Sequence, residues 1–67
     1  MMRTWDDATG TWTTVDVRAG SRDEARRAAR SAVRREGYRV EDVASAVRQP
    51  EGHHWSVECR VARRVAT

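Results

Sequence analysis

Leu, Ile and Phe are absent from this 67-residue chain, and so are Lys and Asn. Without the large aliphatics, no stretch is long and apolar enough to cross a bilayer, and no membrane partner is expected. Any interior must be built from nine Val, ten Ala and a few aromatics. A buried Val contributes roughly 1.5 kcal/mol or more, and an Ala considerably less, so the core is thin. Cysteine occurs once, which excludes an internal disulfide and suits a reducing compartment. The opening residues, MMRTWDDATG, lack the apolar centre of a signal peptide, so the expected location is cytoplasmic.

Apolar residues make up only 39% of the chain, while 34% are charged. All thirteen bases are Arg, and against ten acids they leave a net charge of +3. Arg in place of every Lys is what a GC-rich coding bias produces, so a single Arg carries little weight as a phosphate ligand. A balance of this size permits contact with nucleic acid without requiring it.

Hydrophobic spacing organises the chain into one domain over residues 1–67. A helix is expected over 22–36. Ser21 and Glu24 have the spacing of a capping box, Asp23 and Glu24 suit the positive end of the helix dipole, and Gly37 supplies the stop. Ala25, Ala28, Ala29, Ala32 and Val33 form one apolar stripe of small side chains. Asp23 is placed to reach Arg26 or Arg27, and Glu24 to reach Arg27.

Thr11 to Ala19 reads as a strand with Val15, Val17 and Ala19 on one face. Tyr38 to Arg48 reads as a second strand whose apolar phase slips. Tyr38 and Val40 are in one register and Val43, Ser45 and Val47 in the other, which a bulge near Glu41–Asp42 reconciles. His54 to Val65 alternates strictly, with Trp55, Val57, Cys59 and Val61 on one side. Gln49-Pro50-Glu51-Gly52 has turn chemistry, so these two strands form a hairpin. The expected class is α+β, in the order β-α-β-β with one helix on one face of a small antiparallel sheet. A turn at Asp7-Ala8-Thr9-Gly10 would add an edge strand at Met2–Trp5 and extend the order to ββαββ. Otherwise residues 1–10 are flexible, as residues 65–67 are expected to be.

Chemistry-bearing residues are sparse. Cys59, His53 and His54 fall short of the four ligands of a zinc site, and His54 and Cys59 point to opposite faces of one strand. That parity also disfavours a nucleophilic Cys–His pair. Asp6, Asp7, Glu41, Asp42 and Glu58 form no pair held in a pocket, and the four glycines lie at separate turns or caps. No catalytic or metal residue is assigned, and a non-enzyme is expected.

Two surfaces remain. Arg26, Arg27, Arg30 and Arg34 lie opposite the Ala/Val stripe and, with Arg63 and Arg64, would form a basic ridge able to grip phosphates. The plainer reading of the same residues is a solvated helix face. The sheet face away from the helix would carry Trp12, Thr14, Asp16, Arg18, Ser56, Glu58 and Arg60, with Ala44 and Ala46 if the bulge is real. Trp12 beside Arg18 and Arg60 has the makings of a base-stacking platform, although only one aromatic is assigned there.

From the helix onward the layout resembles the dodecins, small β-α-β-β proteins. Gly37-Tyr38 opens the second strand and Trp55-Ser56-Val57 lies on the third at nearly the family's separation, within a match covering about residues 11–65. Ser56 stands where the family has Gln, and the family's Arg-Gly and Gly-Phe pairs are missing. The resemblance implies a homo-oligomeric habit and a flavin stacked on Tyr38.

The leading expectation is a non-enzymatic module that self-associates through its sheet, using Trp12, Thr14, Arg18, Ser56, Glu58 and Arg60. The alternatives are a nucleic-acid binder using Arg26, Arg27, Arg30, Arg34, Arg63 and Arg64, and a dodecin-like flavin store.

Overall fold

The computed structural model describes residues 2–63; Arg64 and the expected tail over 65–67 lie outside them. Five elements follow one another: β1 (Met2–Asp7), β2 (Gly10–Arg18), α1 (Arg22–Arg35), β3 (Tyr38–Arg48) and β4 (His54–Arg63). The strands make one antiparallel sheet in the order β1-β2-β4-β3. The class is α+β in the order ββαββ, and the optional N-terminal strand is present. It runs to Asp7, two residues beyond the expected end.

The order follows from connection lengths. A two-residue turn, Ala8-Thr9, folds β1 directly back onto β2, and Gln49 to His53 folds β3 onto β4. Both β2 and β3 run antiparallel to β4, so they are parallel to each other and need a crossover between them. Helix α1 is that crossover, and β4 fills the slot beneath it.

Ser21 starts α1 as expected, its Oγ accepting from the Glu24 N–H at 3.2 Å. The return bond differs from a capping box. Glu24 Oε2 reaches one residue further back and accepts from the Gly20 N–H at 2.7 Å. With its carboxylate used there, Glu24 makes no ion pair with Arg27, and Asp23 makes none with Arg26 or Arg27, among the described residues. Gly37 ends the helix at φ 92°, its N–H donating to the Arg34 carbonyl at 3.0 Å.

Ala25, Ala29 and Val33 are fully buried. Against them the sheet presents Val15, Val43, Trp55, Val57, Cys59 and Val61, all buried. Because the helix stripe is mostly methyl groups, the helix backbone can lie close to the sheet, and a thin core closes without large aliphatics. Trp55 pins one end of this arrangement. Its Nε1–H donates to the Ala19 carbonyl at 3.0 Å, while the Ala19 N–H donates to the His53 carbonyl at 2.8 Å.

β3 is less regular than expected. The slip near Glu41–Asp42 is present between Val40 and Asp42, but a second follows between Val43 and Ser45. This second irregularity corrects the assignment of faces. Ala46 sits opposite Val57 and packs against the core, so it leaves the uncovered face. Ser45 and Val47 sit opposite Glu58 and Ser56 and move onto that face.

Helix α1 packs on β2, β3 and β4, and no α1 Cα comes within 8 Å of one in β1. One face of the sheet, and residues 3–7 of β1 on both faces, are therefore left outside the helix's cover, while Met2 packs against the core and shares a hollow with Ala32 and Arg35.

Candidate functional site

The register places the uncovered residues in rows across the sheet. Trp5 is opposite Trp12, Trp12 is opposite Arg60, and Arg60 is opposite Asp42. In the next row Arg3, Thr14, Glu58 and Ser45 follow one another, and beyond it Asp16, Ser56 and Val47. Arg18 is opposite His54 at the end of β2. All six residues expected on this face (Trp12, Thr14, Arg18, Ser56, Glu58 and Arg60) lie on it. Trp12–Arg60 and Thr14–Glu58 are direct cross-strand pairs.

Residues not anticipated here change its character. Trp5 doubles the aromatic surface beside Trp12, and Arg3 joins from the same strand. Val47 is 56% exposed at the other side of the sheet. Trp5 was legible: if Asp7 and Gly10 close the turn, counting back along both strands sets Trp5 opposite Trp12. Val47 was not, because its face depends on the second slip in β3.

The β1–β2 turn holds Trp12 in place. Its Nε1–H donates to Asp7 Oδ1 at 3.1 Å and lies 2.9 Å from Thr9 Oγ1. Asp7 Oδ1 also accepts from the Thr9 hydroxyl at 2.5 Å and the Thr9 N–H at 2.8 Å. These bonds, the Thr9 hydroxyl foremost, hold the Asp7 carboxyl below its ordinary value of 3.8. On the far side of Trp12, Arg60 lies over Gly10, its Cδ 3.6 Å from where a Cβ would stand. Its Nε is 3.8 Å from Glu41 Oε1, and Arg39 approaches the other oxygen of Glu41 at 3.7 Å.

Charges on this face nearly balance. Arg3, Arg18, Arg39 and Arg60 stand against Asp7, Asp16, Glu41, Asp42 and Glu58. The helix is different. Between Arg22 and Arg35 it carries Arg22, Arg26, Arg27, Arg30, Arg34 and Arg35 against Asp23 and Glu24. Arg26, Arg27, Arg30 and Arg34 are exposed, and none has a carboxylate within 4.0 Å among the described residues. Arg63 is exposed at the end of β4, opposite Tyr38, and Arg64 lies outside the described residues.

No family model, no curated protein and no solved structure matches this chain. Its chemistry therefore has to be read from its own side chains. Cys59 is fully buried beneath the helix, where burial pushes its thiol pKa up. His53 and His54 are exposed, and His54 is on the opposite face from Cys59. Among the described residues no group of three or more His, Cys, Asp or Glu comes together. Tyr38 is half-buried and packs against the core. The hollows on the surface are shallow; one of about 300 Å³ lies between Arg22 and Arg26 of α1 and residues 43–46 of β3.

Proposed function

We propose that this protein is a non-catalytic module that binds further copies of itself through its sheet, with Trp5 and Trp12 as the anchor. The observation that carries this reading is the pair of adjacent indoles on a face with four arginines and five carboxylates. A face whose net charge is close to zero repels its own copy little, and alternating signs let a rotated copy meet opposite charges. A nucleic-acid platform would need the same aromatics on a surface with a clear positive excess. Aromatic side chains set among a polar rim are the usual anchors of protein contacts. The thin Val/Ala core supports the same conclusion, since covering Trp5 and Trp12 adds burial that one copy lacks.

Sedimentation velocity from 1 µM upward, a span of order 10²-fold in concentration, tests this reading through mass action. The wild-type chain is expected to form one defined oligomer, and Trp12→Ser to shift it towards monomer with the circular dichroism of the fold retained. A folded wild-type monomer throughout that range would overturn the proposal. Absorbance at 450 nm, recorded in the same run, reads out any flavin carried on Tyr38.

A second reading rests on a separate observation, that Arg26, Arg27, Arg30 and Arg34 have no acidic partner among the described residues. A ridge contacting about four phosphates gives log K falling with log salt at a slope of about −3.6. Fluorescence anisotropy with a labelled duplex tests this. Binding that ignores salt, or none at low salt, removes the ridge as a site.

A further inference from the structure

The two edges of the sheet are built differently. β3 closes one edge with two slips in register, between Val40 and Asp42 and between Val43 and Ser45. Bulges of this kind twist an edge out of the geometry that an added strand needs. β1 closes the other edge in unbroken register with β2, without proline or bulge. Asp7 and Gly10 are the closing pair of a two-residue hairpin loop, which is a hydrogen-bonded pair. Counting back from it, Arg3, Trp5 and Asp7 direct their backbone groups to β2, whereas Met2, Thr4 and Asp6 direct theirs away from the sheet. Met2 shares a hollow with Ala32 and Arg35, but no α1 Cα lies within 8 Å of a β1 Cα. Such a row of outward donors and acceptors is a template for strand addition.

We propose that the strand added there is β1 of a second copy, antiparallel about a two-fold axis normal to the sheet, with the two Trp5 residues directly opposite each other. The proposal rests on the self-association reading and adds to its face contact, anchored on Trp5 and Trp12, a second contact at the sheet edge. Residues directly opposite in a ladder share a face, so paired residue numbers must add to an even sum. Two registers then keep most of β1 paired. Centred on Thr4, the strand sets Met2 against Asp6 and Arg3 against Trp5. Centred on Trp5, it sets each Arg3 against the Asp7 of the other copy, and each Thr4 against an Asp6.

Charge selects the second register. Each edge carries one Arg and two Asp, and only there does the Arg lie directly opposite a carboxylate. Asp7 can accept the contact, because its bonds from Thr9 and Trp12 all use Oδ1 and leave Oδ2 to a guanidinium. The assembled sheet doubles the four strands of one copy. Its uncovered face then carries an unbroken aromatic row of Trp12, Trp5, and the Trp5 and Trp12 of the second copy.

Disulfide trapping reads the register. Pairs that are not hydrogen-bonded bring Cβ atoms to about 4.5 Å, within disulfide reach. In a Cys59→Ser background, Trp5→Cys is expected to give a covalent dimer under mild oxidation, and Thr4→Cys is not. In the otherwise wild-type chain, Thr4→Pro removes an outward N–H and no backbone bond to β2, although it also removes the Thr4 hydroxyl's bond to Thr13 at 3.3 Å. It is expected to weaken association about tenfold or more. Arg3→Asp is expected to weaken it as well, because it sets like charges opposite each other. Trapping by Thr4→Cys alone would overturn the Trp5-centred register. An oligomer indifferent to Thr4→Pro and Arg3→Asp, and not trapped through Trp5→Cys, would overturn edge pairing while leaving self-association standing. A wild-type chain that stays monomeric overturns both. If Thr4→Pro fails to fold, the two cysteine variants still decide.

Discussion

Trp55→Phe tests whether the thin core depends on one buried polar anchor. The indole N–H donates to the Ala19 carbonyl at 3.0 Å, between residues 36 apart in sequence. Both residues are only 8% exposed, so water is not at hand to replace the donor. Phe keeps an aromatic ring in the same space and removes the N–H. Leaving the carbonyl unpaired costs about 1–3 kcal/mol. The ring surface that is lost, roughly 40 Å² at about 25 cal/mol/Å², adds about 1 kcal/mol. The expected loss is about 2–4 kcal/mol, and in a domain of 67 residues that lowers Tm by about 10–25 °C. Urea unfolding followed by far-ultraviolet circular dichroism measures it, at one fixed protein concentration because association adds stability by mass action. The Ala19 amide, now bonded to the His53 carbonyl at 2.8 Å, should also exchange faster as that end of β2 loosens. A loss below about 0.5 kcal/mol with an unchanged m value would refute the reasoning, because it would show that the Ala19 carbonyl finds water.

Ala29 is fully buried where the helix lies on the sheet, so Ala29→Leu should overpack the contact and cost about 1–3 kcal/mol in the same urea assay. Asp7 has its folded pKa depressed, so its bonds to Thr9 and Trp12 are intact above 3.8 and are lost as pH falls through the folded value. The Trp12 indole N–H resonance should therefore stay constant above that pH and move below it; a midpoint at or above 3.8 would contradict the turn geometry. Cys59 is buried with a raised thiol pKa, and it should resist a disulfide reagent at neutral pH until urea unfolds the chain. Prompt labelling of the native protein would mean that the helix lifts readily from the sheet.

Local chemistry carried most of the fold. Ser21 and Gly37 bracket the helix through capping and a positive φ, and both act within a few residues of themselves. The strict alternation of Trp55, Val57, Cys59 and Val61 marks a strand with one buried face, and all four are buried in β4. Where two signals competed, sequence reasoning stopped short. Glu24 had a carboxylate that could serve Arg27 or a backbone donor, and the Gly20 N–H won because an unpaired helix-end donor costs more than a solvated ion pair returns. Ala44 to Val47 offered three small residues and one β-branched residue with no strong preference between faces.

The amino-acid sequence by itself determined the elements, their turns and the size of the core residues, because propensity, capping and periodicity act over a few neighbouring positions. It also determined that Trp5 and Trp12 meet, since a two-residue turn sets the register of both strands. Only the tertiary structure decided which faces stay open. The helix spans β2, β4 and β3 because it must carry the chain across β4, and that path leaves β1 after Met2 beyond its reach. The second slip in β3 sets Ala46 opposite Val57 beneath the helix and turns Val47 outward. The near balance of charge around the two indoles belongs to the fold as well. Its nine residues come from four strands, and only the pairing of those strands brings them onto one surface.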